Sequence, residues 1–554
     1  MIDRLRRLAA RARRGALTGP ASEAVQTLSA TPLISVVMPT YETPARYLRE
    51  AVDSVRTQHY PAWELCIADD GSRSPEVRRM IASQAAADDR IEAVYLGDNG
   101  GISAASNAAL ELASGEFVAF LDHDDVLADD ALLRVAQLLT AEPDTDVVYT
   151  DSDKLTLHGR RADPFHKPDW SPVYALGAMY VGHLLVVRRS LVERAGGFDP
   201  AFDKIQDFEL FLRLSELTDR IRHIPRILYH WRAIPGSIAA GALEKSGVPE
   251  LQARAVTEHL RRIGAEAVAV PHPRIPHRAQ LAAAGPGGEH TGSVDVVIAW
   301  SGEAAPLVRV LDSIRAQRST ALARLIVVGD GELPGDAAEA AELIRDRGPG
   351  FSRGRAANLG AAAATAEHLL FCSPAIELVE PNSIEALLLH ARLPGVAAAG
   401  PLLVRPDGRA EAAGFAVGLE SPAMPMLGGV DADADGYYGA LVCAREVSAL
   451  SGDCLLVERV AFEAAGGFCE WYSTEYDDYD LCQRIQQRGS RVVYAPRPRV
   501  VTHELPSHRR GRVDVIDRAL FVDSWYERLE RGDPYYNPCF ARERADYETG
   551  GRPR

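Results

Sequence analysis

Phe117-Val-Ala-Phe-Leu-Asp-His-Asp-Asp125 is the stretch on which the reading of this chain turns. Five apolar residues run directly into three carboxylates and a histidine. With Ser114-Gly115 before it, the apolar run predicts a buried strand of a parallel sheet. A strand that ends in carboxylates delivers them to the crevice beyond its carboxyl end, where open α/β sheets bind ligands. Asp122-x-Asp124 offers hard oxygen ligands suited to Mg2+ or Mn2+, ions that commonly bridge to phosphates. The competing reading is a solvated helix cap, because Asp129-Asp130 follow and a helix can start there.

The segments upstream weigh the two readings. Leu33-Ile-Ser-Val-Val-Met38 predicts a buried strand, followed by Pro39-Thr-Tyr-Glu-Thr-Pro44 and a helix over 47–58 with Leu48, Val52 and Val55 at helical spacing. Trp63 to Ala68 predicts a second strand ending in Asp69-Asp70-Gly71-Ser72, with a helix over 75–87 and a third strand over 91–96. Asn99-Gly100-Gly101-Ile102-Ser103 then opens an Ala-rich helix through Asn107 to Ala113. Strand–helix alternation of this kind predicts an α/β fold with a mostly parallel, Rossmann-like sheet and right-handed crossovers. Thr40-Tyr41-Glu42, Asp69-Asp70 and Asp122-x-Asp124 all fall where strands end. Asp69 or Asp70 can accept a base N–H, and Tyr41 can pack on a base or ring. The Gly100-Gly101 turn into a helix offers an approach for phosphate or sugar, although it lacks the G-x-G-x-x-G spacing of a dinucleotide fold.

The ordered set Val-Val-Met-Pro-Thr-Tyr, Ile-Ala-Asp-Asp-Gly-Ser, Asn-Gly-Gly-Ile-Ser-Ala-Ala-Ser-Asn and Phe-Leu-Asp-His-Asp-Asp resembles family 2 glycosyltransferases, of the bacterial O-antigen and cell-surface polysaccharide type. The resemblance implies a GT-A fold and inverting transfer from a nucleotide sugar to a glycan or lipid-linked acceptor. It implies that Asp69 and Asp70 sit by the nucleotide base, and that Asp122 and Asp124 form the metal- and diphosphate-binding D-x-D. Thr40, Tyr41, Glu42, Asn99, Gly101 and Asn107 fall within these motifs and are expected to contact the donor.

Further on, Asp203-Lys-Ile-Gln-Asp-Phe-Glu-Leu-Phe-Leu-Arg213 places Asp207 and Glu209 near a helix start, where the dipole alone favours an aspartate. An inverting transfer also needs a general base on the face opposite the leaving nucleotide. By resemblance to the family's Glu-Asp motif, here Gln206-Asp207, Asp207 is that base. The glutamine is a departure expected to alter acceptor contacts. The strand Ile221 to Arg232 ends in Tyr-His-Trp-Arg. His230 is expected as a nitrogen ligand to the metal or a diphosphate contact, and Arg232 as a counter-charge to the leaving group. Asp146 to Lys154 and the Pro-rich 163–172, with Trp170, are further donor or acceptor candidates.

The second half repeats the pattern in degenerate form. Asp295 to Trp300 matches the first strand, Leu311-Asp-Ser-Ile-Arg-Ala-Gln317 matches Val52 to Gln58, and Leu325 to Gly331 matches Leu65 to Gly71. Asn107 lies 15 positions before Asp122, so Asn358 leads to Ser373, and Ser373-Pro-Ala-Ile376 stands where Asp122-His-Asp-Asp125 stood. The hard ligands are gone. Gly466-Gly-Phe and Tyr476-Asp-Asp-Tyr-Asp-Leu-Cys482 are kept, with Asp478 at the base position. The layout is therefore a basic arm and linker over 1–30, a catalytic domain over 31–275, a linker over 276–293, a degenerate GT-A-like domain over 294–505 and a tail over 506–554.

Composition sets the outer bounds. The 554 residues suffice for two or three cores, and 47% hydrophobic with 25% charged residues is ordinary for a globular protein. A net charge of −16 argues against nucleic-acid binding. Seven cysteines without a Cys-x-x-Cys pair indicate neither a zinc site nor a disulfide framework and fit a cytoplasmic location. Residues 1–14, with six arginines and one aspartate, are expected either to lie on an anionic membrane surface or to be a solvated arm. A sugar nucleotidyltransferase would need a basic Gly-rich loop after the first strand. A processive synthase would need Gln-x-x-Arg-Trp and membrane spans. Neither pattern occurs. A non-catalytic glycan- or nucleotide-binding scaffold, or two active halves, are the alternatives.

Overall fold

The computed structural model describes residues 28–234, 247–284, 292–335, 341–473, 475–503 and 515–550. The basic arm expected over 1–14 lies outside them. Two compact units divide the chain, one formed by the residues to Trp170 with Met179–His259, the other by Ser171–Ala178 with the residues from Leu260.

In the first unit, β1 (Ile34–Thr40), α1 (Ala45–Arg56), β2 (Trp63–Asp69), α2 (Pro75–Ala87), β3 (Ile91–Tyr95), α3 (Ile102–Leu112) and β4 (Phe117–Phe120) alternate as expected. They are followed by β5 (Val126–Leu127), α4 (Ala131–Ala141), β6 (Val147–Leu155), β7 (Arg161–Phe165), the short α5 (Pro172–Gly177, counted with the second unit), β8 (Leu185–Arg188), α6 (Arg189–Ala195), α7 (Gln206–Leu217), β9 (Ile221–Arg232) and α8 (Val248–Arg262). Every residue of β1 and β2 is buried, which is why both read as mostly apolar runs, and the buried Ser35 hydroxyl donates to Glu64 across the pair at 2.7 Å. α1 turns Leu48, Ala51, Val52 and Val55 onto the sheet at helical spacing. The order is β3-β2-β1-β4-β8-β6-β9-β5, with β7 on β6. β1 to β4 run parallel, while β8 runs antiparallel to both β4 and β6.

The second unit repeats that order strand for strand as β14-β13-β12-β15-β22-β17-β23-β16, with β16 at Ile376–Leu378 and β17 at Val396–Val404. Its elements that matter here are β12 (Val294–Ala299), β13 (Leu322–Gly329), β14 (Glu342–Arg345), α10 (Arg353–Ala363), β15 (His368–Cys372), β22 (Cys454–Glu458), α13 (Asp477–Gln487) and β23 (Arg491–Thr502). Between β12 and α10 lies α9 (Ala304–Arg315). α11 (Ser383–Ala391) and α12 (Arg459–Ala465) complete the series before α13. The expected α/β class, with mostly parallel, Rossmann-like sheets in tandem, is therefore the architecture found.

One boundary expectation is corrected. Residues 276–293 are not simply a linker, because β11 (Ala279–Ala283) pairs antiparallel with β10 (Ala267–Pro271). The surrounding Pro, His and Gly hid a short strand whose Ala279 is buried. The tail after 505, expected to dock against a domain or a partner, packs on the second unit over its described part. α14 (Val515–Arg531) buries Phe521, and Tyr536, Phe540 and Ala545 join the second unit's core. Its Arg- and Tyr-rich composition masked aromatic side chains that pack on one another.

Candidate active site

Sheet register brings the motifs to one level. Thr40 pairs with Asp69 across β1 and β2, and Val37 pairs with Phe120 across β1 and β4, so three strands end together. β8 adds a group from the other direction. Its antiparallel register sets Phe120 opposite Leu185, and continuing it sets His183 opposite Asp122. His183 Nε2 lies 3.5 Å from Asp122 Oδ2. The ring stacks on Tyr229 with centroids 4.9 Å apart. Asp122, Gly182, His183, Gln206 and Asp207 line one pocket with Pro39, Ile102 and Phe198. The first aspartate of the D-x-D and the candidate base therefore share a crevice.

The carboxylates differ in environment. Asp122 is the more open, with 35% of its side chain exposed. Burial raises Asp124 above its ordinary value, Asp122 adding to the shift while His123 and Arg232 oppose it. Asp125 is fully buried and held well above its usual range by desolvation. It accepts the Tyr229 hydroxyl at 2.5 Å and the Arg232 N–H at 2.7 Å, so it anchors the loop from below. Asp207 is also raised, chiefly by burial, with Asp122 adding and His183 opposing. Buried like charges without a full counter-charge favour binding a cation. Asp122 and Asp124 supply the hard oxygens a Mg2+ or Mn2+ ion prefers, and the donor set fits such an ion.

Several expected donor contacts are engaged within the protein. The Asp70 carboxylate accepts the N–H groups of Gly100 and Gly101 at 2.8 and 3.0 Å, and Ser103 N–H donates to Asp203 at 3.2 Å. The turn into α3 thus has three of its amides taken before any phosphate arrives. Gly101 is required there twice over: its φ is +93°, and a Cβ would lie 2.3 Å from Asp203 Oδ2. Asn107 clamps Phe198 through both backbone groups, at 2.9 and 2.8 Å. Glu42 accepts Arg73 N–H at 2.6 Å, and Thr40 bonds Thr43. Asp69 behaves differently. Arg78 holds Oδ2 at 3.1 Å, while the buried Oδ1 has no hydrogen-bond partner. Tyr41 is 41% exposed and Asn99 is exposed.

Arg232 does not face the crevice. It is 2% exposed, ion-paired to Glu50 at 2.7 Å, stacked over Tyr47 and donating to the Asp124 carbonyl at 2.6 Å. It therefore holds the D-x-D loop in place. His230 Nδ1 lies 2.6 Å from Asp153 Oδ1, and Arg161 holds the other Asp153 oxygen. Asp151, buried between His166 and His223, is pulled down to about 2 despite desolvation. Trp170 is half-buried, edge-on against Phe211 and stacked on Tyr180. His183 was not singled out from sequence. Its signal is the antiparallel return of β8 beside β4, which places position 183 against 122 but cannot be read from apolar alternation.

A model of glycosyl transferase family 2 matches residues 35–196. These residues form a family 2 glycosyl transferase domain. Over nearly the whole chain it is 36% identical to an uncharacterized protein of Sinorhizobium fredii, covering 96% of this chain and 60% of that protein. It is 32% identical to the O-antigen biosynthesis protein RfbC of Myxococcus xanthus, covering 95% of this chain and 42% of that one. The chain thus spans about half the length of these curated relatives. Among solved structures, S. aureus TarS 1–349 matches at 21% identity and a TM-score of 0.32, over 41% of this chain and 72% of that chain. Among the described residues, no helix is long and apolar enough to cross a membrane.

Proposed function

We propose that the first unit transfers a sugar, with inversion, from a nucleotide-sugar donor to a saccharide acceptor, glycan or lipid-linked, in cell-surface polysaccharide assembly. The observation that carries this reading is the single pocket shared by Asp122, His183 and Asp207. Asp69 Oδ1, buried and unpartnered, suits a base N–H of the nucleotide. Asp122 and Asp124 would hold the divalent ion, which supplies counter-charge to the departing diphosphate.

The remaining steps belong to side chains of this unit. Asp207 takes the proton of the acceptor hydroxyl as its oxygen forms the new bond to the anomeric carbon. The bond from that carbon to the diphosphate oxygen breaks on the opposite face, so the linkage is inverted and a nucleoside diphosphate leaves. Burial of Asp207 raises its basicity toward working pH, where general-base catalysis is most effective. His183, 3.5 Å from Asp122, opposes the rise that Asp122 adds to Asp207. Arg232, through Glu50 and the Asp124 carbonyl, fixes the loop that carries the ligands.

The test is transfer from a panel of nucleotide sugars to saccharide acceptors. Asp207→Asn is expected to lower kcat by about 10²–10⁴-fold with little change in donor KM. Asp124→Ala and chelation of divalent ions are each expected to abolish turnover. Full turnover in Asp207→Asn would refute the base assignment.

A further inference from the structure

The second unit has a pocket of about 250 Å³ in the position of the first unit's donor site, and three substitutions have changed what it can hold. The first concerns the base contact. Register aligns Val36 with Leu65 in one unit and Val296 with Leu325 in the other, so Gly329 stands where Asp69 stands. A Cβ on Gly329 would lie 2.6 Å from the Trp300 carbonyl oxygen, and one on Gly331 would lie 2.6 Å from Cη2 of its ring. The Trp300 indole therefore lies over the Gly329–Gly331 turn, with Nε1 donating to the Glu303 carbonyl at 2.8 Å. The protein's own ring fills the space a nucleobase would take.

The second change removes the ion. Ser373, Pro374 and Ala375 line the pocket in place of the D-x-D carboxylates. The third silences the base. Asn358 clamps Phe468 as Asn107 clamps Phe198, which aligns Arg353 with Ile102. Arg353 is ion-paired with Asp477 and lies 3.3 Å from Asp478 Oδ2, which also accepts the Gly452 N–H at 2.7 Å. The counterpart of Asp207 is thus bound to a guanidinium.

What remains is still a built site. Phe351, 49% exposed, joins Trp300, Phe371 and Phe468 in the lining, around Arg353 and the Ser373 hydroxyl. A concave, mostly apolar lining with a few polar groups is that of a small-ligand site. Two carboxylates already neutralise Arg353, so a phosphate would meet no net positive charge. Aromatic faces beside hydroxyl-sized donors and acceptors suit a ring with apolar C–H faces and equatorial hydroxyls.

We propose that this pocket is a saccharide-binding site, selective for a neutral pyranoside and independent of metal and nucleotide. It holds acceptor glycan while the first unit performs transfer, and in that role it rests on the function proposed above.

The test uses saturation-transfer NMR on the full chain carrying Asp122→Ala, in EDTA, so that the first unit's donor site is disabled. The probes are neutral methyl pyranosides of the gluco, galacto, manno and 6-deoxy series and methyl N-acetylglucosaminide. At least one is expected to give signal that excess uridine or guanosine diphosphate leaves unchanged. Phe351→Ala, at an exposed ring, is expected to weaken that binding about tenfold, and Ser373→Trp to abolish it with the melting temperature retained. No signal from any probe, displacement by the nucleotides, or full binding in both pocket variants would overturn the proposal. Transfer by the unmodified chain is assayed separately. Transfer without second-unit binding defeats this site alone, and binding without transfer defeats only the catalytic reading.

Discussion

At the scale of single residues, the crevice depends on groups that never touch a substrate. Lys167 is buried and donates to the carbonyls of Val181 at 2.5 Å and His183 at 2.7 Å, tying down the loop beside Asp122. Burial pushes its ammonium from 10.5 down to about 7. Between those values the unfolded chain binds the extra proton, so stability must rise as pH increases from about 7 to about 10 and level off below that window. In Lys167→Met the rise is expected to vanish, so the melting-temperature difference from the parent chain grows with pH. Turnover is expected to fall as well, because the His183 loop loses its anchor. Equal pH profiles for the two proteins would refute the assignment.

At the scale of elements, strands were legible because burial on both faces leaves an apolar run that needs no partner to be seen. The helix over 75–87 and the strand starting at Trp63 follow directly from such local signals. The site was only half legible. Asp122, Asp124 and Asp207 sit at element ends and announce themselves, whereas His183 enters by antiparallel pairing and Arg232 is turned away by Glu50, which no local pattern encodes. Asp70 shows the same limit. Its carboxylate is committed to the amides of Gly100 and Gly101, so Asp70→Ala should leave two N–H groups unpaired at about 1–3 kcal/mol each. The expected result is a lower melting temperature and a raised donor KM with kcat less affected. Were Asp70 chiefly a base contact, the choice of nucleotide would change instead.

At the scale of the whole molecule, one sheet order occurs twice with different chemistry at its strand ends. The scaffold contacts survive in both copies: Asn107 and Asn358 on a backbone phenylalanine, Glu209–Arg213 and Asp480–Arg484 along a helix. The groups that differ are those of the crevice. Asp478→Asn is therefore expected to leave transfer largely intact, measured under the conditions in which Asp207→Asn abolishes it. Loss of activity in both would make the second unit catalytic.

The Arg353 contact also bears on how such a copy can change over time. Asp477 and Asp478 are buried, and the guanidinium is what makes their charge tolerable there. Returning position 353 to the isoleucine-like state of Ile102 would strand both, at about 3–5 kcal/mol for a broken buried pair, before any catalytic carboxylate was set free. Arg353→Ile should thus melt the unit early and gain nothing. Position 353 is therefore held by the fold itself, whatever the pocket binds, and a change there is expected to be felt first as lost stability.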